Sequence, residues 1–324
     1  MTDFISKNAE RSEHPHPAAL KLAQASARLK PLNECTPEEA RAMRAERGNP
    51  FAPPACDLAA IENIIIECTD GSLAARVYRP HLGDQDTELQ PALIYFHGGG
   101  FVLGDIAQYD TVTQQLASWS GCIVISVEYR LAPAVKSAQI YGDGIDALKW
   151  VYRHSKVLGI DKQRIAIGGD SAGANLTIAV ALRCKQQQID MPAFQLLIYP
   201  VTDYTMSFAS IDEFADGYFL TKASMLWFRD HLLENAERIT HPEVSSLRAE
   251  LSGLPPAFVL TAGFDPLRDE GKAFADRLER HGVTVEHLCY TDMIHGFISF
   301  AGGIPPGMEA LQKMGSVLKT ALAK

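Results

Sequence analysis

Short apolar runs recur along the chain, each closed by glycine, proline or charge, and several lead into longer stretches with helical spacing. Residues 63–68 and 73–78, split by Asp70-Gly71, predict an antiparallel pair of strands. Buried strands are predicted at 92–96, 122–127, 164–168, 194–199, 257–262 and 283–290, and helices at 142–154, 174–187, 268–281 and 308–323. Two amphipathic helices, 18–28 and 40–47, precede the sheet. Thr36 as N-cap, Pro37 at the first helical position and Glu39 three residues after Thr36 form a capping box ahead of the second. Alternating strands and helices imply an α/β fold, a mostly parallel eight-stranded sheet covered by helices on both faces.

In such sheets ligands bind beyond the carboxyl ends of the strands. Gly98-Gly99-Gly100, Ser171 and Asp265 each follow a predicted strand directly, and His295 lies in the loop beyond another, so all fall on one edge. Residues 1–50 read as an N-terminal helical cap segment over that edge, and 51–324 as the sheet domain that carries the chemistry. The stretch 202–250 lacks strand alternation, and its helical pieces extend the cap. His14-Pro15-His16-Pro17 reads as an extended, mobile tail rather than a metal site.

Composition narrows the picture mainly by exclusion. With 324 residues, 47% hydrophobic and 21% charged, the chain can bury the core of one large soluble domain with an accessory segment. A net charge of −9 and a pI near 5.6 argue against nucleic acid or an anionic membrane as partner. No run reaches the roughly 18 apolar residues of a membrane span, and residues 1–7 lack the apolar stretch of a secretory leader, so the expected location is the cytoplasm. The cysteines at 35, 56, 68, 122, 184 and 289 have no ligand-like spacing and read as free thiols, Cys122 as a small hydrophobe in a strand.

The chemistry centres on Gly169-Asp170-Ser171-Ala172-Gly173, between a predicted strand and a predicted helix. So abrupt a turn crowds the backbone; glycine on both sides relieves it and leaves the Ser171 hydroxyl exposed, as in a nucleophile elbow. Unpaired N–H groups at the helix start favour negative charge beside it. A serine hydroxyl needs a base, itself oriented by a third group, and with this elbow both follow the serine in sequence. Among the downstream histidines, His281 ends a helix, His287 lies in a strand, His231 in a cap helix and His241 in a loop before Pro242. His295 follows a strand, beside Gly296, and is read as the base. Asp265, after a strand and before Pro266, is read as the acid, with N-capping as a second role and Asp269 and Asp203 as competitors. The glycine run 98–100 lets backbone N–H groups approach a developing oxyanion, whereas a phosphate loop would need G-K-[S/T], which is absent. His97, ahead of the serine, reads as a structural residue that holds this loop.

His97-Gly98-Gly99-Gly100, the Gly169–Gly173 motif, Asp265-Pro266-Leu267-Arg268-Asp269-Glu270 and His295-Gly296-Phe297, in that order, resemble the hormone-sensitive lipase family of bacterial esterases in its GDSAG branch, from about residue 60 onward. The resemblance implies an α/β-hydrolase fold with a helical cap, Ser171 as nucleophile, His295 as base and Asp265 as orienting acid. It further implies oxyanion donors at Gly98, Gly99 and Ala172, dimers through an edge strand, and no metal or organic cofactor. The implied activity is that of a serine carboxylesterase acting on small-molecule esters; the aromatic bulk around the loop and cap, not the resemblance, sets the expectation of short to medium acyl chains. Two alternatives stand beside it: an amidase or acylamidase with the same triad, and a non-catalytic receptor resembling the gibberellin receptors, against which His295 in its Gly-Phe context argues. Phe101, Phe208, Phe214, Tyr218, Phe219, Trp227 and Phe228 supply aromatic bulk, most of it as cap-to-core packing. One stretch departs: where the family reads D-Y-R-L-A-P-E, this chain has Glu128-Tyr129-Arg130-Leu131-Ala132-Pro133-Ala134, and the missing acid puts local ion pairing in doubt.

Overall fold

The computed structural model describes residues 11–81 and 89–323; the expectation for residues 1–7 lies outside them. Eight strands form one sheet: β1 (Ala60–Cys68), β2 (Gly71–Arg79), β3 (Gln90–Phe96), β4 (Ile123–Val127), β5 (Ile160–Asp170), β6 (Phe194–Ile198), β7 (Ala257–Phe264) and β8 (Val285–Ile294). Their order is β1-β2-β4-β3-β5-β6-β7-β8. β2 runs antiparallel to β1 and β4, and every pairing from β4 across to β8 is parallel. β4, β6 and β7 are buried along their whole length, which explains why they read as unbroken apolar runs rather than as alternation.

Helices cover both faces. On one lie α1 (Pro17–Ser26), α3 (Ile106–Ser120) and α9 (Pro305–Ala321), whose Ala19, Ala23, Leu116, Leu311 and Met314 join Leu93 and Leu260 of the sheet in one core. On the other lie α4 (Ser137–His154), α5 (Ala172–Gln187) and α8 (Arg268–Arg280), packed on Ile94, Ile125 and Val259. The stretch 202–250 holds α6 (Ala209–Glu213) and α7 (Lys222–Leu232) with short 3₁₀ turns, and α2 (Pro37–Arg47) carries the expected capping box. Arg41 of α2 donates to the carbonyls of Val102 and Ala132 at 2.8 and 2.7 Å, and the Trp227 indole of α7 donates to the Cys35 carbonyl at 3.2 Å.

Two features differ from the sequence pattern. The helix α3 has no counterpart among the expected elements, although Asp105 caps its start and Gly121 closes its end in the left-handed region. The presumed tail from His14 to Pro17 is fixed instead. Backbone N–H groups of Ser12 and His16 donate to the Thr291 and Asp292 carbonyls of β8 at 3.0 and 2.8 Å, and the His16 ring accepts the Ala18 N–H at 3.2 Å as cap of α1.

The absent acid at Ala134 leaves no gap in ion pairing. Arg130 grips both oxygens of the buried Asp143 in α4 and also reaches Asp70 in the β1–β2 turn. Among the described residues no disulfide is formed, and burial pushes the Cys122 thiol up to about 11. Among the described residues no helix is long and apolar enough to cross a membrane.

Candidate active site

Ser171 is the single residue between β5 and α5. Its φ of 55° is the left-handed strain of a nucleophile elbow, and its N–H is held by the Ile198 carbonyl at 2.8 Å. The bend brings α5 so close to β3 that a Cβ on Gly173 would drive into the Phe96 carbonyl, so only glycine fits there. β3, β5, β7 and β8 point the same way, so the residues after each meet at one edge.

His295, directly after β8, places Nε2 3.0 Å from Ser171 Oγ and Nδ1 2.7 Å from Asp265 Oδ2. Both His295 and Asp265 are buried. The hydrogen-bond network assigns the proton to Nδ1, donated to Asp265, and leaves the Nε2 lone pair facing the serine. The other Asp265 oxygen accepts the Leu267 N–H at 2.8 Å, the expected capping contact, although α8 itself starts only at Arg268.

The competing residues are engaged elsewhere. Asp269 accepts from Arg268 and from the Ser210 N–H, and Asp203 accepts from Thr205 and Ser207. The His281 ring bonds the Arg277 carbonyl, His287 pairs with the Thr261 hydroxyl, His231 packs edge-on against Trp227, and His241 accepts the Glu243 N–H.

The expectation for Gly98 needs correction. Its N–H donates to Asp170 Oδ1 at 2.8 Å and is not free for an oxyanion. The N–H groups of Gly99, Gly100 and Ala172 donate to no protein acceptor among the described residues. Phe228 of α7 lies against Gly100 so closely that a Cβ there would enter the ring.

His97 holds the loop as expected. Its Nδ1 is 2.8 Å from the Gly98 carbonyl, its ring stacks between Tyr109 and Tyr129, and the Tyr129 hydroxyl donates to the His97 carbonyl at 2.6 Å. Burial pushes this imidazole down from the ordinary 6.5 to about 4, so it stays neutral. Unfolded chains take the proton at the higher value. The group therefore adds stability that is complete above pH 6.5 and is lost as pH falls toward 4. His97→Asn keeps an N–H for the Gly98 carbonyl but does not titrate. In urea unfolding at a series of pH values, wild type should lose about 3 kcal/mol more than the variant between pH 7 and pH 4.

Several buried groups here had no sequence signal of their own. The Tyr199 ring lies 4.5 Å from that of His295, and Glu270 Oε1 accepts the N–H groups of Thr202 and Asp203 at 2.6 and 3.0 Å. Burial holds the Glu270 carboxyl well above the usual range.

A sheet of this order, with a serine on the turn from its central strand into a helix, defines the α/β-hydrolase fold. Residues 93–299 match the family described as alpha/beta hydrolase fold, and the chain belongs to it, within the hormone-sensitive-lipase-like esterases. The ethyl acetate hydrolase of Pseudomonas putida is 34% identical over 301 residues, covering 91% of this chain and 94% of that protein. The carboxylesterase NlhH of Mycobacterium tuberculosis is 37% identical over 254 residues, 77% of this chain and 79% of its own. Among solved structures, the hyperthermophilic esterase of Pyrobaculum calidifontis superposes with a TM-score of 0.87 at 35% identity, covering 96% of this chain and all of that one (100%).

Proposed function

We infer that the protein is a serine carboxylesterase that hydrolyses short- to medium-chain esters of small molecules through an acyl-enzyme. The observation that carries this reading is the unbroken series of Ser171, His295 and Asp265, linked at 3.0 and 2.7 Å where the strands end. Ser171 Oγ attacks the ester carbonyl as His295 Nε2 takes its proton, and Asp265 steadies the imidazolium. The carbonyl oxygen gains the negative charge and is received by the free N–H groups of Gly99, Gly100 and Ala172. Collapse expels the alcohol, which leaves with the proton from His295. Water then attacks the acyl-enzyme with the same base, releasing the acid and restoring Ser171.

Residues 27–50 and about 202–250 serve in this reading as the cap, while α1 packs on the sheet face. Support comes from α7, whose Phe228 presses on Gly100, and from Phe219, whose ring lies beside Gly296 next to His295. Such bulk leaves room for short acyl chains. A cytoplasmic location and a homodimer through an edge strand complete the proposal.

p-Nitrophenyl esters of increasing length, with a matched butyryl anilide, test it. Turnover should peak at about four to six acyl carbons and exceed that of the anilide. A peak beyond about ten carbons would refute the short pocket, and faster anilide cleavage would make the protein an amidase.

A further inference from the structure

Asp170 stands beside the nucleophile with no part in the proton path, yet it is only 2% exposed and fully partnered. Its Oδ1 accepts from the Tyr95 hydroxyl and from the Gly98 N–H, both at 2.8 Å, and its Oδ2 accepts from the Tyr109 hydroxyl at 3.1 Å. Three donors around two oxygens fit an ionised carboxylate.

We propose that Asp170 is a positioning residue of the esterase: it locks the glycine turn 98–100 to the elbow. This rests on the serine-esterase reading above. The backbone register between β3 and β5 ends at Phe96 and Gly169, so beyond it the aim of Gly99 and Gly100 depends on the side-chain bond from Asp170 to Gly98. Donors displaced by about half an ångström no longer match the oxyanion. Removing the acceptor also strands a buried N–H. Burial pushes the Asp170 carboxyl upward, and its three donors oppose that push.

Asp170→Ala and Asp170→Asn, assayed on p-nitrophenyl butyrate, separate loss of the acceptor from loss of the charge. An asparagine oxygen still accepts from Tyr95 and Gly98. Asp170→Ala should lower kcat by about 10²-fold with little change in KM, and Asp170→Asn by less than about tenfold. The inference is overturned by a folded Asp170→Ala with kcat within about threefold of wild type, or by an asparagine variant as impaired as the alanine one. Should Asp170→Ala fail to fold, Asp170→Ser, whose hydroxyl falls short of the Gly98 N–H, decides in its place: a lowered kcat at unchanged KM supports the inference and a wild-type kcat refutes it. Ser171→Ala in the same assay keeps the two readings apart. Activity surviving in that variant would sink the serine reading itself. A silent Ser171→Ala beside a wild-type-like Asp170→Ala would sink only the role given to Asp170.

Discussion

Replacing Ser171 by alanine should lower kcat on p-nitrophenyl butyrate by about 10⁵-fold or more, the largest effect of any single substitution in the chain. The change removes Oγ, the atom 3.0 Å from His295 Nε2, and so removes both the attacking group and the acyl-enzyme. Binding should barely change, because the unpartnered N–H groups of Gly99, Gly100 and Ala172 remain. The fold should persist as well. Alanine occupies the same backbone position at φ 55°, where the strain is already met by the Ile198 carbonyl and the close approach to β3. Steady-state kinetics with circular dichroism as a folding control is the measurement. A variant retaining a tenth of wild-type kcat, about 1.4 kcal/mol of barrier, would place the nucleophile elsewhere.

Asp265→Asn should cost about 10⁴-fold in kcat with little loss of stability. An asparagine there presents an amide N–H or an amide oxygen to His295. When the N–H faces Nδ1, the imidazole must carry its proton on Nε2, pointing at Ser171 Oγ, and can no longer accept from it. The amide can still accept the Leu267 N–H, so the turn into α8 stays formed. Asp269→Asn is the control: it weakens the pair with Arg268 without touching His295 and should leave kcat within about threefold. Thermal melts of both variants, run beside the kinetics, distinguish a wrong tautomer from a loosened fold. Equal losses in the two would mean that the acid role is not specific to Asp265.

The parts of the site that the sequence displays are those whose chemistry is local. A glycine-flanked serine between strand and helix, a histidine beside glycine after a strand, and an aspartate before proline each announce a backbone geometry within five residues. The helix α3 is less visible because its buried face includes Thr113, Gln114, Gln115 and Ser120 among the apolar residues, which blurs the helical stripe. The fixing of His16 depends on carbonyls of β8 that no nearby residue signals. The choice among the three glycines is equally non-local. It is made by Asp170, 72 positions further along, which takes the Gly98 N–H and leaves the next two free. Domain reading suffers in the same way: α1, assigned by position to the cap, lies against β8, and its Ala19 and Ala23 join the core on one face of the sheet.

The pairing of Ser12 and His16 with β8 sets an order of events for the nascent chain. Ser12 meets Thr291 across 279 residues, so α1 leaves the ribosome long before its binding strand. Until then the Ala19–Ala23 face has no sheet to rest on, and a helix of ten residues is marginal by itself. Docking of α1 is thus a late step, gated by the arrival of β8, and its loop-closure entropy is met only after the central strands have already condensed.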